Sequence, residues 1–379
     1  ALLGGLIFLF FPTRLGHAVG AHLGLIVNYW WLLYLWSLVR IWRGADWRTG
    51  ALGGLFLALT AATHTTNIAF QLLPMTALWG AAMAWKHRAT WRAWLRPLGA
   101  LVGVATAGMA FLYAPMFLSY LRGELRFLDD SGAVVFATDL AAFITPSPFN
   151  PVAERLGLVP GWAYDVLHDN IIEGPAYLGV VAVALAGVAV WKRRADVWPW
   201  LLVMMVAMVI SLGPLLKVAD RVVHLYVDGG NYATTVALPY ILYQRLPGLG
   251  MIRTPGRMNY VTAVALAVMA AYGWTALSTA LNARIKCLNL SVWQGGAVIL
   301  LSAVVLLEYQ LYAPFPTTGV TVPAYYQELA EAAARGEVGG ELFRQAVAAL
   351  RPDDSPPAGD RRARDPPDAR QPGHDRSGQ

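Results

Sequence analysis

Nine apolar stretches recur along this chain, and the short loops between alternate pairs of them are rich in Lys and Arg. An apolar run of about 18 residues or more can cross a hydrocarbon core as a helix. In lipid the backbone must satisfy its own hydrogen bonds, so such runs are read as helices. The stretches cover roughly 1–11 (partial), 22–42, 50–66, 68–85, 97–118, 175–191, 198–216, 259–281 and 292–311. They predict an all-α fold, a polytopic transmembrane helical bundle of about nine spans over residues 1–311. Composition agrees, with 57% hydrophobic and 14% charged residues, against roughly a quarter charged in a typical soluble protein. Aromatic rings gather at run ends, as at Tyr29, Trp30 and Trp31 and at Trp198 and Trp200, where interfacial anchors belong.

The basic residues order the topology. Arg40, Arg43 and Arg48 mark one loop, Lys86, Arg88, Arg92 and Arg96 a second, Lys192, Arg193 and Arg194 a third, Arg284 and Lys286 a fourth. Only Asp46 and Asp196 oppose them. The positive-inside rule puts these loops in the cytoplasm, provided 50–85 is a helical hairpin turning near His64–Asn67. Pro12–Ala21, the long segments 119–174 and 217–258, and the C-terminus then fall outside, as in a multi-pass protein of a bacterial inner (plasma) membrane. The net charge of +6 sits mainly in short loops, so the partner it implies is the lipid bilayer and not nucleic acid. The single Cys287 falls in a cytoplasmic loop and leaves no intrachain disulfide.

The ends differ from the middle. The chain opens inside an apolar run with no charged leader or cleavage site, which is read as a start partway through a longer protein. Residues 312–350 read as an extracytoplasmic helical segment. From Arg351 to Gln379 the only apolar side chains besides Pro are Ala358, Ala363 and Ala369. That stretch is either a disordered tail or an out-of-frame translation.

The chain carries no Gly-rich phosphate loop, no HExxH and no Cys/His ligand spacing, so no metal site is expected and no cofactor is assigned. The two long outer segments are the places for function, since long loops on a rigid scaffold are often binding or catalytic. Segment 119–174, with Pro146, Pro148, Pro151 and Pro160 among aromatic residues, is read as short amphipathic pieces on the membrane surface.

Five stretches taken together resemble a known group. They are Phe11-Pro-Thr-Arg-Leu-Gly-His17 followed by His22, Asp139-Leu-Ala-Ala-Phe-Ile-Thr-Pro-Ser-Pro148, Glu173-Gly-Pro-Ala-Tyr-Leu-Gly179, Leu246-Pro through Arg253-Thr-Pro-Gly-Arg257-Met, and Val322-Pro-Ala-Tyr-Tyr-Gln-Glu-Leu-Ala330. In order and spacing, from about residue 10 to 330, they resemble the GT-C-type polytopic glycosyltransferases, the YfhO-like and related bacterial membrane enzymes. The resemblance implies sugar transfer from a polyprenyl-phosphate-linked donor on the outer face. It also implies an acidic general base in a first outer loop, expected upstream of residue 1, so no catalytic residue is assigned here.

Each candidate residue has two readings. Arg253 and Arg257, four apart, would share a helix face and present guanidinium forks to a phosphate, or they anchor a helix end at headgroups or pair with Asp228. Asp139 would orient a sugar hydroxyl or a cation, or it caps the Leu140–Ile144 turn. His22, with His17 and His64 on the outer side, is a substrate contact or an interfacial packing residue. Asp129 and Asp130 are a solvated turn or a metal contact. Glu173 is assigned to the N-terminus of a Pro-started helix, and Glu308 to the outer end of the last helix. The competing functional classes are a membrane transporter or lipid flippase and a non-catalytic or degenerate membrane protein fragment. The absence of charge at the centres of 97–118, 175–191 and 259–281 speaks against an ion-coupled carrier.

Overall fold

The computed structural model describes residues 1–312 apart from 28, 65–66, 124–131, 168–169, 228–229, 231, 246–252 and 285–289, and beyond them only 324–325, 328, 332 and 335. Asp129, Asp130, Asp228, Lys286, Cys287, the start of the Leu246–Arg257 stretch and nearly all of 312–350 and 351–379 lie outside the described residues. The chain divides into Ala1–Pro316 and Thr317–Gln379. The fold described below belongs to the first unit.

It is mostly helical. The elements are α1 (Leu2–Leu9), α2 (Pro12–Val19), α3 (Leu23–Ile26), α4 (Tyr29–Trp42), α5 (Trp47–Thr63), a π-helical turn (Asn67–Leu72) leading into α6 (Leu73–Lys86), α7 (Arg92–Leu121), α8 (Pro151–Arg155), α9 (Ala163–Leu167), α10 (Val180–Ser211), α11 (Tyr240–Gln244), α12 (Asn259–Arg284) and α13 (Leu290–Glu308). Among the described residues four helical stretches are long and apolar enough to cross a membrane: Leu23–Trp42, Arg92–Ser119, Val180–Ser211 and Pro255–Ala283. A fifth arises if the bent pair α1 and α2 counts as one span. The expected nine are not reached on that criterion, because α5 and α6 have 17 and 14 residues, α13 offers only the shorter apolar helix Val292–Glu308, and two expected spans lie within α10.

Helix α10 reverses along its length. Its 32 residues would stretch about 48 Å if straight. Yet Leu178 N, just before it, donates to Phe143 O at 3.0 Å, and Ser211 O, at its end, accepts from Thr138 N at 2.9 Å. Five residues of chain reach at most ~18 Å, so the two ends of α10 lie near one another. The reversal is at Arg193, whose φ of −132° and ψ of 29° are not helical. Val180–Lys192 descends and Arg194–Ser211 returns.

Close approach of small residues packs the rest. A Cβ on Gly50 would sit 2.0 Å from Pro97 O and one on Gly54 2.4 Å from Leu101 O. This G-x-x-x-G face lets α5 and α7 run side by side in the same direction, as small residues do in membrane bundles. Gly273 of α12 meets Leu185 O of α10 in the same way, at 1.8 Å. The outer surface is apolar. Only 11% of the apolar window of α7 is buried, and Phe111, Phe117, Ile299 and Leu300 are exposed. An apolar face of that extent marks contact with lipid or with another protein.

These contacts define two ends. Lys86, closing α6, donates to Ala195 O at 2.6 Å beside the reversal of α10, so the loops with Arg43, Lys86 and Asp196 gather at one end. The segments around residues 11–22, 136–148, 173–179 and 253–259 gather at the other. There the chain departs from pure helix: segment 217–258 carries two antiparallel hairpins, β1 (Lys217–Val218) with β2 (Arg221–Val222) and β3 (His224–Val227) with β4 (Tyr232–Thr235). The expected surface pieces of 119–174 include α8, α9 and a 3₁₀ turn at Leu140–Phe143. Ala142, Phe143, Val166, Ala176 and Leu212 form a small second core beneath them.

Candidate functional site

At the end opposite the basic loops, three distant segments meet at one carboxylate, and a fourth, Phe136–Thr138, is bonded to one of them. Glu173 is 4% exposed and its Oε1 accepts from both Nε and Nη2 of Arg257 at 2.9 Å. Its Oε2 lies 3.2 Å from Nε2 of the fully buried His17. His17 Nδ1 is 3.0 Å from His22 Nδ1. The backbone holds this arrangement: Thr13 Oγ1 donates to Pro175 O at 2.6 Å, Gly256 N to Phe136 O at 3.0 Å, and Asn259 Nδ2 to Thr138 Oγ1 at 2.8 Å. Gln71, from the π-helical turn, donates to Arg257 O at 2.9 Å. The π-helix is a form that recurs at functional sites.

Local sequence explains how His17 and His22 come together although i and i+5 do not share a helix face. α2 ends at Val19, Gly20 closes it, and Ala21 takes a φ of +53°. That left-handed turn sends the chain back, and His22 N donates to His17 O at 2.9 Å. Arg14 anchors the same corner: Nη2 donates to Ile26 O at 2.9 Å and the guanidinium lies 4.5 Å from the Phe8 ring.

The electrostatics are set by burial and by neighbours. Burial pushes the Glu173 carboxyl up, but His17 and Arg257 together outweigh it and hold the group below its usual range. Burial, then the nearby His17, lowers the basicity of His22, with Glu173 opposing. His64, the C-cap of α5, is lowered by burial and by Arg257, His17 and His22. His22 and His64 therefore favour the neutral form beside an ionised carboxylate, and such groups can bind a cation or accept a proton.

The candidates from the sequence land in different places. His22 joins the cluster. Arg257 does too, but its guanidinium is engaged with Glu173, and it lies within a 3₁₀ turn (Pro255–Met258) that precedes α12. Arg253 faces elsewhere, exposed, with its guanidinium 5.8 Å from the Phe136 ring centroid. Asp139 is 3% exposed and accepts from Ala141 N at 2.8 Å, Ala219 N at 3.1 Å and Asp220 N at 2.9 Å. It therefore caps its own turn and also ties down the β1–β2 loop, where Ala219 and Asp220 have positive φ.

Compared with models of protein families, with curated proteins and with solved structures, the chain finds no match in any of the three.

Two assignments change. Glu173 does not sit at a Pro-started helix: the helix begins only at Val180, after Gly179 with a φ of +80°. The carboxylate near that helix start is Glu308, whose Oε2 accepts from Val181 N at 3.4 Å. A side chain on Gly179 would meet the Tyr309 ring at 2.6 Å, which is why glycine stands there. The second change concerns metal. No ligand spacing is visible in the sequence, yet among the described residues His17, His22 and Glu173 each offer a ligand atom, all within 4.8 Å of one another. Only the fold brings position 173 to positions 17 and 22.

Proposed function

We propose that this chain is a membrane-embedded glycosyltransferase of GT-C-like design, taking a sugar from a polyprenyl-phosphate-linked donor at the His17–Glu173–Arg257 end. The observation that carries the reading is convergence. Three of the stretches that resemble the GT-C group lie far apart in sequence, and their residues bond to one another around a single buried carboxylate, while the fourth is tied to the Glu173–Gly179 stretch through Leu178 N and Phe143 O. The positive-inside rule applied to Arg43, Lys86 and Lys192 puts the other end in the cytoplasm, so the cluster faces outward in a multi-pass inner-membrane protein. Val180–Lys192 and Arg194–Ser211 then count as two passes, and the shorter α5, α6 and α13 complete the expected set.

In this reading the two arginines divide their work. Arg257 holds Glu173, and Arg253, exposed beside it in sequence, is the fork for the donor phosphate. His22 contacts the transferred sugar or its acceptor. Asp139 supports the outer loops through the backbone and does not touch substrate.

The test is transfer itself. The purified chain, reconstituted into proteoliposomes with polyprenyl-phosphate sugars of several kinds, should release free polyprenyl phosphate, and Arg253→Ala should slow that release at least tenfold. Transbilayer movement of the lipid without cleavage would instead favour a flippase. Neither cleavage nor movement with any donor would leave the non-catalytic alternative.

A further inference from the structure

We propose that His17, His22 and Glu173 form a binding site for a divalent transition metal of the zinc class. Three observations lead there. The first is the ligand set: two imidazoles and one carboxylate, with one ligand atom from each inside 4.8 Å, the His₂Glu combination that suits Zn²⁺. The second is that the two deepest ligand atoms, His17 Nε2 and Glu173 Oε2, are buried and, among the described residues, face only each other, at 3.2 Å and without hydrogen-bond geometry. Buried polar atoms are nearly always well satisfied, and a buried pair so sparsely served asks for an explanation. A separation of 3.2 Å is close to the ~3.4 Å expected between two ligands at about 2.1 Å from one tetrahedral ion.

The third observation is the support around them. Arg257 places both of its donors on Oε1 of Glu173, which fixes the carboxylate plane and leaves Oε2 directed at His17. Metal-ligating groups are characteristically oriented by such outer contacts. His22 follows the Gly20–Ala21 turn and is the accessible member of the three, so it gives the ion a route in. Three protein ligands leave one position for water or for an oxygen of a substrate. An ordinary buried ion pair between a protonated His17 and Glu173 is the rival account, and it needs neither His22 nor any metal.

The measurement is metal content of the full chain, tag-free and in detergent, after chelator stripping and reloading with Zn²⁺ and separately with Co²⁺. The expected result is one equivalent retained through gel filtration, with the intense visible absorption of low-coordinate Co²⁺. His22→Ala, at an accessible position that leaves the buried pair intact, should weaken Zn²⁺ binding by more than the ~10–100-fold that follows loss of an outer-shell partner. Glu173→Gln, nearly isosteric, should do the same, and Arg257→Gln should fall within that range. Wild-type chain that retains no stoichiometric metal overturns the proposal, as does binding that survives both His22→Ala and Glu173→Gln. Metal bound without sugar transfer supports the site while counting against the transferase. Transfer by a chain shown to be metal-free and unchanged by reloading counts the other way.

Discussion

The two ends of the bundle handle charge in opposite ways. At the basic end, Arg43, Lys86, His87 and Asp196 line an open groove of about 530 Å³ together with Trp36, Trp42, Trp79 and Trp200. Its ion pair, Lys86 with Asp196 at 3.7 Å, is 27% and 45% exposed. At the other end His17, Glu173 and Arg257 are 0%, 4% and 16% exposed and in direct contact. Charges in the first group keep much of their water. Charges in the second have given up water and act through position. Loss of one partner there leaves a buried charge uncompensated, which is far more costly than loss of an exposed pair.

Arg257→Met should produce the largest loss. It strips Glu173 of both donors while keeping the volume of the side chain, and breaking a buried pair costs about 3–5 kcal/mol. The thermal midpoint of the detergent-solubilised protein would fall accordingly. A shift no larger than that of a surface substitution would show that the two ends do not differ in kind.

Glu173→Gln comes next, because hydrogen bonds to a charged group contribute about 1.5–3 kcal/mol. It also sharpens the contrast through pH. The carboxyl of Glu173 is held below its usual range, below the value of roughly 4.3 for an unfolded chain. Its contribution is therefore complete above that value and is lost as the pH falls through the folded one. Unfolding midpoints of wild type and Glu173→Gln should stand furthest apart near neutral pH and converge under acid. A constant gap from neutral pH downward would mean that the carboxylate is not ionised in the folded chain.

How much of this was legible in the sequence follows from the same contrast. The basic loops can be read directly, since counting Lys and Arg near the ends of apolar runs requires no knowledge of their partners. The apolar runs announce helices, and the basic break at Lys192–Arg194 already separates the two halves of Val180–Ser211 that reverse at Arg193. The His17–Glu173–Arg257 cluster depends on a left-handed turn at Ala21, a late helix start at Val180 and two chain segments more than a hundred residues apart. None of those leaves a periodic trace. Asp139 was half legible: a cap before Leu140 is a local signal, whereas its bonds to Ala219 and Asp220 are long-range. The hairpins from β1 to β4 are short, and strands of two to four residues carry too little alternation to be seen.

Asp139→Ala tests that half-legible residue and should cost about 1–2 kcal/mol, since it removes a cap and leaves two further backbone donors of the β1–β2 loop without their acceptor. The loss should be local. Hydrogen exchange at Ala219 and Asp220 should quicken while the α12 amides are unchanged, whereas quickening throughout α12 would make Asp139 a support of the bundle itself.

Lys86→Ala should have the smallest effect of the series, and its smallness carries information. The side chain is partly exposed, an exposed pair contributes about 0–1 kcal/mol, and its short bond to Ala195 O can pass to water at that end. The thermal midpoint should therefore hardly move. What should change is orientation when Lys86 is removed together with Arg88, Arg92 and Arg96, because the positive-inside rule depends on the number of cations near a helix end and not on any one of them. Accessibility of single cysteines introduced at positions 90 and 22 of a chain carrying Cys287→Ser reads this directly. In the wild type the reagent should label them from opposite faces of the membrane, and in the fourfold variant a fraction of chains should label with the faces exchanged. Unchanged labelling, together with a large fall in stability for Lys86→Ala alone, would mean that the basic end is built on specific buried contacts in the same way as the His17 end.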